Sequence, residues 1–200
     1  PTGSAGDVAP DRLVDEWLRY DNNINSNALG WTSEMTWEWA IRLTPTELAG
    51  YDGWNLTTVQ MCHGMIGGTE PAHDILITIY DEGTATQPGS VITTENFTAD
   101  TVDWFDIELT TPVTIDETRD IWISLGTTSA ASTHPAGANA GTQVPGKSDW
   151  LNYGSGWMEF SDFGYYWAWN IAAGLEEPYT PPPPPPPPPP MNITVYNQTH

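Results

Sequence analysis

Few residues in this chain have the types and spacing that chemistry requires. Asp21-Asn22-Asn23-Ile24-Asn25 sets side-chain oxygens at alternate positions, so Asp21 with backbone carbonyls is a candidate Ca²⁺ site. The glycine that turns an EF-type loop and a Glu at its twelfth position are missing, so an Asn-rich turn is the competing reading. Cys62 and His63 offer a nucleophile beside a base, but neighbours in a strand point to opposite faces and cannot form that dyad. No Gly-X-Ser-X-Gly elbow, His-Glu-X-X-His pair or glycine-rich phosphate loop occurs. His73-Asp74 and the many carboxylates have no fixed partner and read as a solvated acidic face. The sequence reads as that of a non-enzyme that requires no cofactor.

The remaining chemistry is that of surfaces. Trp37 with Trp39, and Trp167 with Trp169, occupy alternate positions on one strand face, where indole supplies core area. Trp54, Trp150 and Trp157 lie in Gly/Asp/Asn-rich stretches and are candidate ligand or glycan platforms. Four Asn-X-Ser/Thr sequons begin at Asn55, Asn96, Asn192 and Asn197 and point to covalent glycans and export. About two or three such triplets are expected by chance in a chain this rich in Asn and Thr, so position carries more than number.

The end of the chain is unlike the rest. Pro181, Pro182, Pro183, Pro184, Pro185, Pro186, Pro187, Pro188, Pro189 and Pro190 form an uninterrupted run. Proline has a fixed φ and no amide donor, so the run predicts a polyproline II spacer of roughly 31 Å at about 3.1 Å per residue. It is similar to the hydroxylated, O-glycosylated rods of extensin-like cell-wall glycoproteins, which makes these prolines candidate glycosylated hydroxyprolines; a bare spacer is the alternative. In the tail, Met191, Ile193 and Val195 alternate with Asn192, Thr194 and Tyr196, the pattern of a half-buried strand. A lone strand must pair with a sheet, and a stiff rod disfavours return to its own domain, so an identical neighbour is the economical partner. Such a head-to-tail contact does not close and propagates as a fibre. A disordered end and the first strand of a following domain are the competing readings.

Composition narrows the partners. The 200 residues carry 5 Lys+Arg against 26 Asp+Glu, a net charge of −21, with Lys147 the single lysine. Binding to nucleic acid or to an anionic membrane surface needs clustered cations, so both are excluded as partners. No apolar run approaches the roughly 20 residues of a membrane span. Cys62, the only cysteine, has no partner for an internal disulfide. The opening Pro1-Thr2-Gly3-Ser4 reads as a mature or excised segment.

The elements that must position these residues are β nearly throughout. Strands are predicted at 38–43, 56–62, 75–80, 91–97, 104–109, 113–115, 121–125, 157–160 and 167–172, bounded by Gly/Pro/Asp/Thr clusters. One helical turn is predicted at 46–49, after Thr44-Pro45. This divides the chain into a lead (1–15), one antiparallel two-sheet sandwich (16–177), a Pro-rich linker (178–190) and a C-terminal donor strand (191–200).

An ordered series of short motifs adds a resemblance: Trp17-Leu18-Arg19-Tyr20-Asp21-Asn22, Asn27-Ala28-Leu29-Gly30, Ala40-Ile41-Arg42-Leu43-Thr44-Pro45, Pro88-Gly89, Thr111-Pro112-Val113, His134-Pro135-Ala136-Gly137, Gly146-Lys147-Ser148-Asp149-Trp150 and Trp169-Asn170-Ile171. Over roughly 17–173 the chain resembles the jelly-roll accessory modules, akin to cleaved-adhesin domains, of secreted surface proteins. The resemblance implies a jelly-roll-like sandwich, export and a binding or structural role without catalysis. It departs at Ala138-Asn139, where such modules often carry Cys or Asp. The reading that follows is a subunit of an extracellular or cell-surface glycosylated fibril, partnered by itself and by glycans. The alternative is a carbohydrate-binding or adhesin accessory module of a larger secreted protein.

Overall fold

The computed structural model describes residues 14–178 and residue 186. Among the described residues thirteen antiparallel strands form three sheets. The first holds β1 (Glu16–Arg19), β13 (Ile171–Glu176), β4 (Asn55–Cys62) and β7 (Trp104–Thr114), in that order. The second has six strands, in the order β11 (Trp157–Glu159), β10 (Trp150–Asn152), β3 (Met35–Leu43), β8 (Ile121–Ser129), β5 (His73–Gly83) and β6 (Pro88–Ala99). A third, small sheet is β12 (Trp167–Trp169), β9 (Thr133–Ala140) and β2 (Asn27–Trp31).

Period-two alternation builds the core. Along β3, Trp37, Trp39, Ile41 and Leu43 are buried and join Ile75, Ile77 and Ile79 of β5 and Ile121, Ile123 and Leu125 of β8. Against them pack Leu56, Val59 and Met61 of β4, Ile107 and Leu109 of β7, and Ile171, Ala173 and Leu175 of β13. Each fully buried aliphatic side chain contributes about 1.5–3 kcal/mol relative to exposure, so this one cluster joins the sheets into a sandwich.

Several sequence expectations change, and strands β1, β2, β9 and β10 lie outside the predicted ones. The sandwich has three sheets where the sequence predicts two, because β9 carries no strand signature. Thr133-His134-Pro135-Ala136-Gly137-Ala138-Asn139-Ala140 reads as a loop, yet its centre is buried. Its small side chains allow close approach: a Cβ on Gly30 of β2 would lie 1.6 Å from the Thr133 carbonyl oxygen. Pro135 falls where the β2–β9 register shifts, a position that tolerates a missing donor. The predicted strands 104–109 and 113–115 are one continuous β7, and 167–172 divides at Asn170 into β12 and β13.

The helical turn α1 (Pro45–Leu48) is held by a capping box. The Thr44 N–H donates to Glu47 Oε2 at 3.0 Å, and the Thr46 N–H donates to Thr44 Oγ1 at 3.4 Å. Lys147 donates to Glu47 Oε1 at 2.6 Å. Partial burial alone would raise the Glu47 pKa, but the bonds from Lys147 and Thr44 pull it down to about 2. The other described cations are paired as well: Arg19 with Asp21, Arg42 with Asp120, and Arg119 with Asp81 and Glu82.

Candidate functional site

Two regions outside the core have the composition of recognition surfaces. The first is the edge where the two larger sheets come together. Among the described strands β6 pairs only with β5, and β7 only with β4. Phe97 of β6 meets Phe105 of β7 with ring centroids 5.0 Å apart, and the Thr110 N–H donates to Glu95 at 2.8 Å. Farther along, the sheets part around a cleft of about 260 Å³ lined by Ile92, Pro112, Val113 and Ile121, with Asp81 and Arg119 at its polar side. Val91 and Ile92 are 56% and 44% exposed. Edge strands are normally blunted by lysine, bulges or shortness; β6 is 12 residues long and has no basic residue, and its one such device is a register shift against β5 at Ile92.

The second region is the outer face of the six-stranded sheet. Ala40, Trp122 and Trp150 form a cluster of their own here, flanked by Tyr80 and Trp157. The Trp122 ring lies 5.1 Å from that of Trp150 and 5.9 Å from that of Trp157. Register places Asn96, Leu76, Gly126, Glu38, Asn152 and Trp157 in one row across all six strands. Around the middle of that row lies a trough of about 550 Å³, whose lining includes Thr36, Glu38, Asp74, Leu76, Asn96 and Gly126. Burial raises the Glu38 pKa, a shift that a long Ser124 Oγ hydrogen bond of 3.4 Å partly offsets.

A buried histidine pair lies beside this trough. The His63 Nδ1–H donates to the Thr101 carbonyl at 2.7 Å, so in the neutral ring Nε2 accepts from His73 Nδ1–H at 2.9 Å. His73 Nε2 lies 3.2 Å from the Thr133 hydroxyl oxygen, whose own proton is donated to the Ala130 carbonyl at 2.9 Å. Burial first, and then the neighbouring His63, lower the His73 pKa, against the opposing charge of Glu70. Cys62 is separate from the pair: its Sγ–H donates to the Gly64 carbonyl at 3.9 Å. Burial, then the charges of Asp103 and Asp21, push its thiol up to about 12.

The predicted site residues fall in scattered places. Trp150 is a correction: it is 2% exposed, opens β10 and carries the backbone carbonyl that accepts from Trp169 Nε1 at 2.8 Å, so its ring offers no open face to a ligand. Its burial follows from pairing with Ala40, whose small side chain leaves room for an indole. Trp54 is half-buried against Tyr51, with ring centroids 5.1 Å apart, and Trp157 is half-buried in the outer aromatic cluster. Asp21 is buried, paired with Arg19 at 3.3 Å, and accepts from the Asn23 N–H at 2.6 Å. Burial raises its pKa against those partners. Asn22 accepts from the Ile24 N–H at 3.1 Å, an Asx turn, while Asn25 reaches the Gly64 carbonyl at 3.1 Å. Among the described residues no group of three or more His, Cys, Asp or Glu could hold a metal ion.

Asn96 is exposed on β6, whereas Asn55 is half-buried at the start of β4 and accepts from Thr114 Oγ1 at 3.1 Å. Pro186 is exposed. Met191, Ile193, Val195, Asn192, Asn197 and the other nine prolines of the run lie outside the described residues. The trough carried only faint sequence signals, a glycine ending the Ile121-Trp122-Ile123-Ser124-Leu125 run and a Glu between two tryptophans, and nothing in the sequence joined His63 to His73.

No family model, curated protein or solved structure matches the chain. Among the described residues no helix is long and apolar enough to cross a membrane.

Proposed function

We propose that this chain is a structural subunit of an extracellular, glycosylated, pilus-like fibril. A jelly-roll-like sandwich forms its body and residues 181–190 a polyproline II rod. Residues 191–200 add as a strand to the sandwich of the next subunit, with Met191, Ile193 and Val195 directed inward. The observation that supports this reading is the β6 edge, long, free of basic residues, and carrying exposed Val91 and Ile92 beside an apolar cleft. Main-chain pairing would supply affinity and the cleft would take alternate side chains. The net charge of −21 keeps such a surface soluble at high local density and leaves self-association to the strand.

The test is a mixing experiment read by negative-stain microscopy and light scattering. A variant lacking residues 191–200 retains an acceptor edge, and Val91→Lys/Ile92→Lys retains a donor tail. Each alone stays monomeric, and together they stop at a 1:1 pair. Fibres formed by either variant alone overturn the proposal. The half-buried Tyr80 and Trp157 at the rim of the outer aromatic cluster support a second reading, a carbohydrate-binding module, for which saturable binding of soluble oligosaccharide by the body would be the supporting result.

A further inference from the structure

Resting on the reading of the chain as an exported glycoprotein, we propose that the trough on the outer face of the six-stranded sheet is a cradle for a glycan carried by the chain's own Asn96. Three independent features meet in it. First, Asn96 is exposed, heads the sequon Asn96-Phe97-Thr98, and itself lines the trough. Second, the trough has the lining a sugar requires: Leu76, 44% exposed, offers an apolar patch to the C–H face of a pyranose, while Glu38, Asp74 and Thr36 offer oxygens to its hydroxyls. Third, Gly126 sits directly across from Leu76 in the central strand β8, without a left-handed φ to require glycine. A Cβ there would lie 3.2 Å from Glu38 Cγ, so the glycine both admits Glu38 and keeps the floor of the trough low. A glycine inside a central strand weakens it, and commonly marks a close approach by another group.

The register makes the path explicit. A saccharide leaving Asn96 passes Leu76, then Gly126, then Glu38, each one strand farther, or about 14 Å over three strand spacings. In the attachment step Asn96 Nδ2 displaces a lipid phosphate from the anomeric carbon of a lipid-linked oligosaccharide. The N–C1 bond forms, the C1–O bond to phosphate breaks, and one Nδ2 proton is released. Asn55 lacks this setting, since its side chain already accepts from Thr114 and it does not line this trough. Folding the glycan back over the sheet also leaves the outer edge of β6 clear.

The experiment uses the full chain made in a host with an N-glycosylating secretory pathway, with site-resolved glycopeptide mass spectrometry. Endoglycosidase release at Asn96 is timed in the native state for the unaltered protein and for Leu76→Lys, a surface change that spares the core. Release from the unaltered protein is expected to be about tenfold slower than from Leu76→Lys, while both are released alike after denaturation. Glu38→Ala, a second variant, is expected to speed release in the same direction. An Asn96 without glycan, or equal native-state rates in all three proteins, overturns the proposal. Tight binding of free oligosaccharide that Leu76→Lys abolishes in an Asn96→Gln background also overturns it, since the trough would then serve an external ligand.

Discussion

The two faces of the six-stranded sheet are built from the same strands, yet they do different work. Along β3, Trp37, Trp39, Ile41 and Leu43 enter a dry core, while the intervening Glu38, Ala40 and Arg42 face outward. The inner face is continuous, with apolar side chains on every strand that reaches it. The outer face is discontinuous, an indole cluster at one end and a glycine-floored trough at the other. The contrast shows how alternation lets one sheet carry stability on one side and leave the other free for the glycan contacts proposed above.

The sharpest way to break the contrast is to truncate adjacent residues. Ile77→Ala, at a fully buried inner position, is expected to cost about 2–5 kcal/mol in urea unfolding. Leu76→Ala, its outward neighbour, is expected to cost less than about 1 kcal/mol. Equal costs would show that the outer face is a second core.

Asp149 tests the boundary between the faces. It is fully buried, with Oδ2 accepting from the Ser161 N–H at 3.0 Å and Oδ1 without a partner, and burial lifts its pKa to about 6. A carboxyl whose pKa is raised on folding stabilises the fold when protonated, and that contribution is lost as pH rises from about 4 through about 6. Asp149→Asn is therefore expected to add about 1–3 kcal/mol at pH 7.5 and nothing at pH 4, measured by denaturant midpoints.

The histidine pair gives a smaller effect of opposite sign. The folded His73 pKa lies below its ordinary 6.5, so neutral His73 contributes fully above that pH, and the contribution is lost as pH falls through the lower folded value. Unfolding midpoints measured between pH 7.5 and 5 should fall less in His73→Asn than in the unaltered chain; identical slopes would remove the pair from that role. Smallest of all, Cys62 should resist iodoacetamide at pH 8 in the native state and label promptly in urea, because its thiol is buried and pushed up to about 12. Prompt native labelling would mean that the β4 end opens.

Much of this fold was legible because alternation is local. The Ile75 to Tyr80 and Ile121 to Leu125 runs name both their strands and their inward residues, and Thr44-Pro45 with Glu47 names the capped turn. Trp37 and Trp39 were legible as core on the same grounds. Trp150 was not, since a Gly/Lys/Ser/Asp context reads as loop, and only its register opposite Ala40 buries it. Strands β1, β2, β9 and β10 were not legible; β9 pairs with β12 and β2, far from it in sequence, and close approach rather than propensity holds it.

By itself the sequence determined an acidic, all-β chain with a proline run, the strands whose side chains alternate, and the turns that punctuate them. These follow from backbone sterics, side-chain period and charge count, each readable within a few residues. Tertiary structure alone decided the third sheet, the burial of Trp150, the union of His63 with His73, and the row from Asn96 to Glu38. Each of those depends on register between strands distant in the chain, and a shift of one residue would send every side chain to the opposite face.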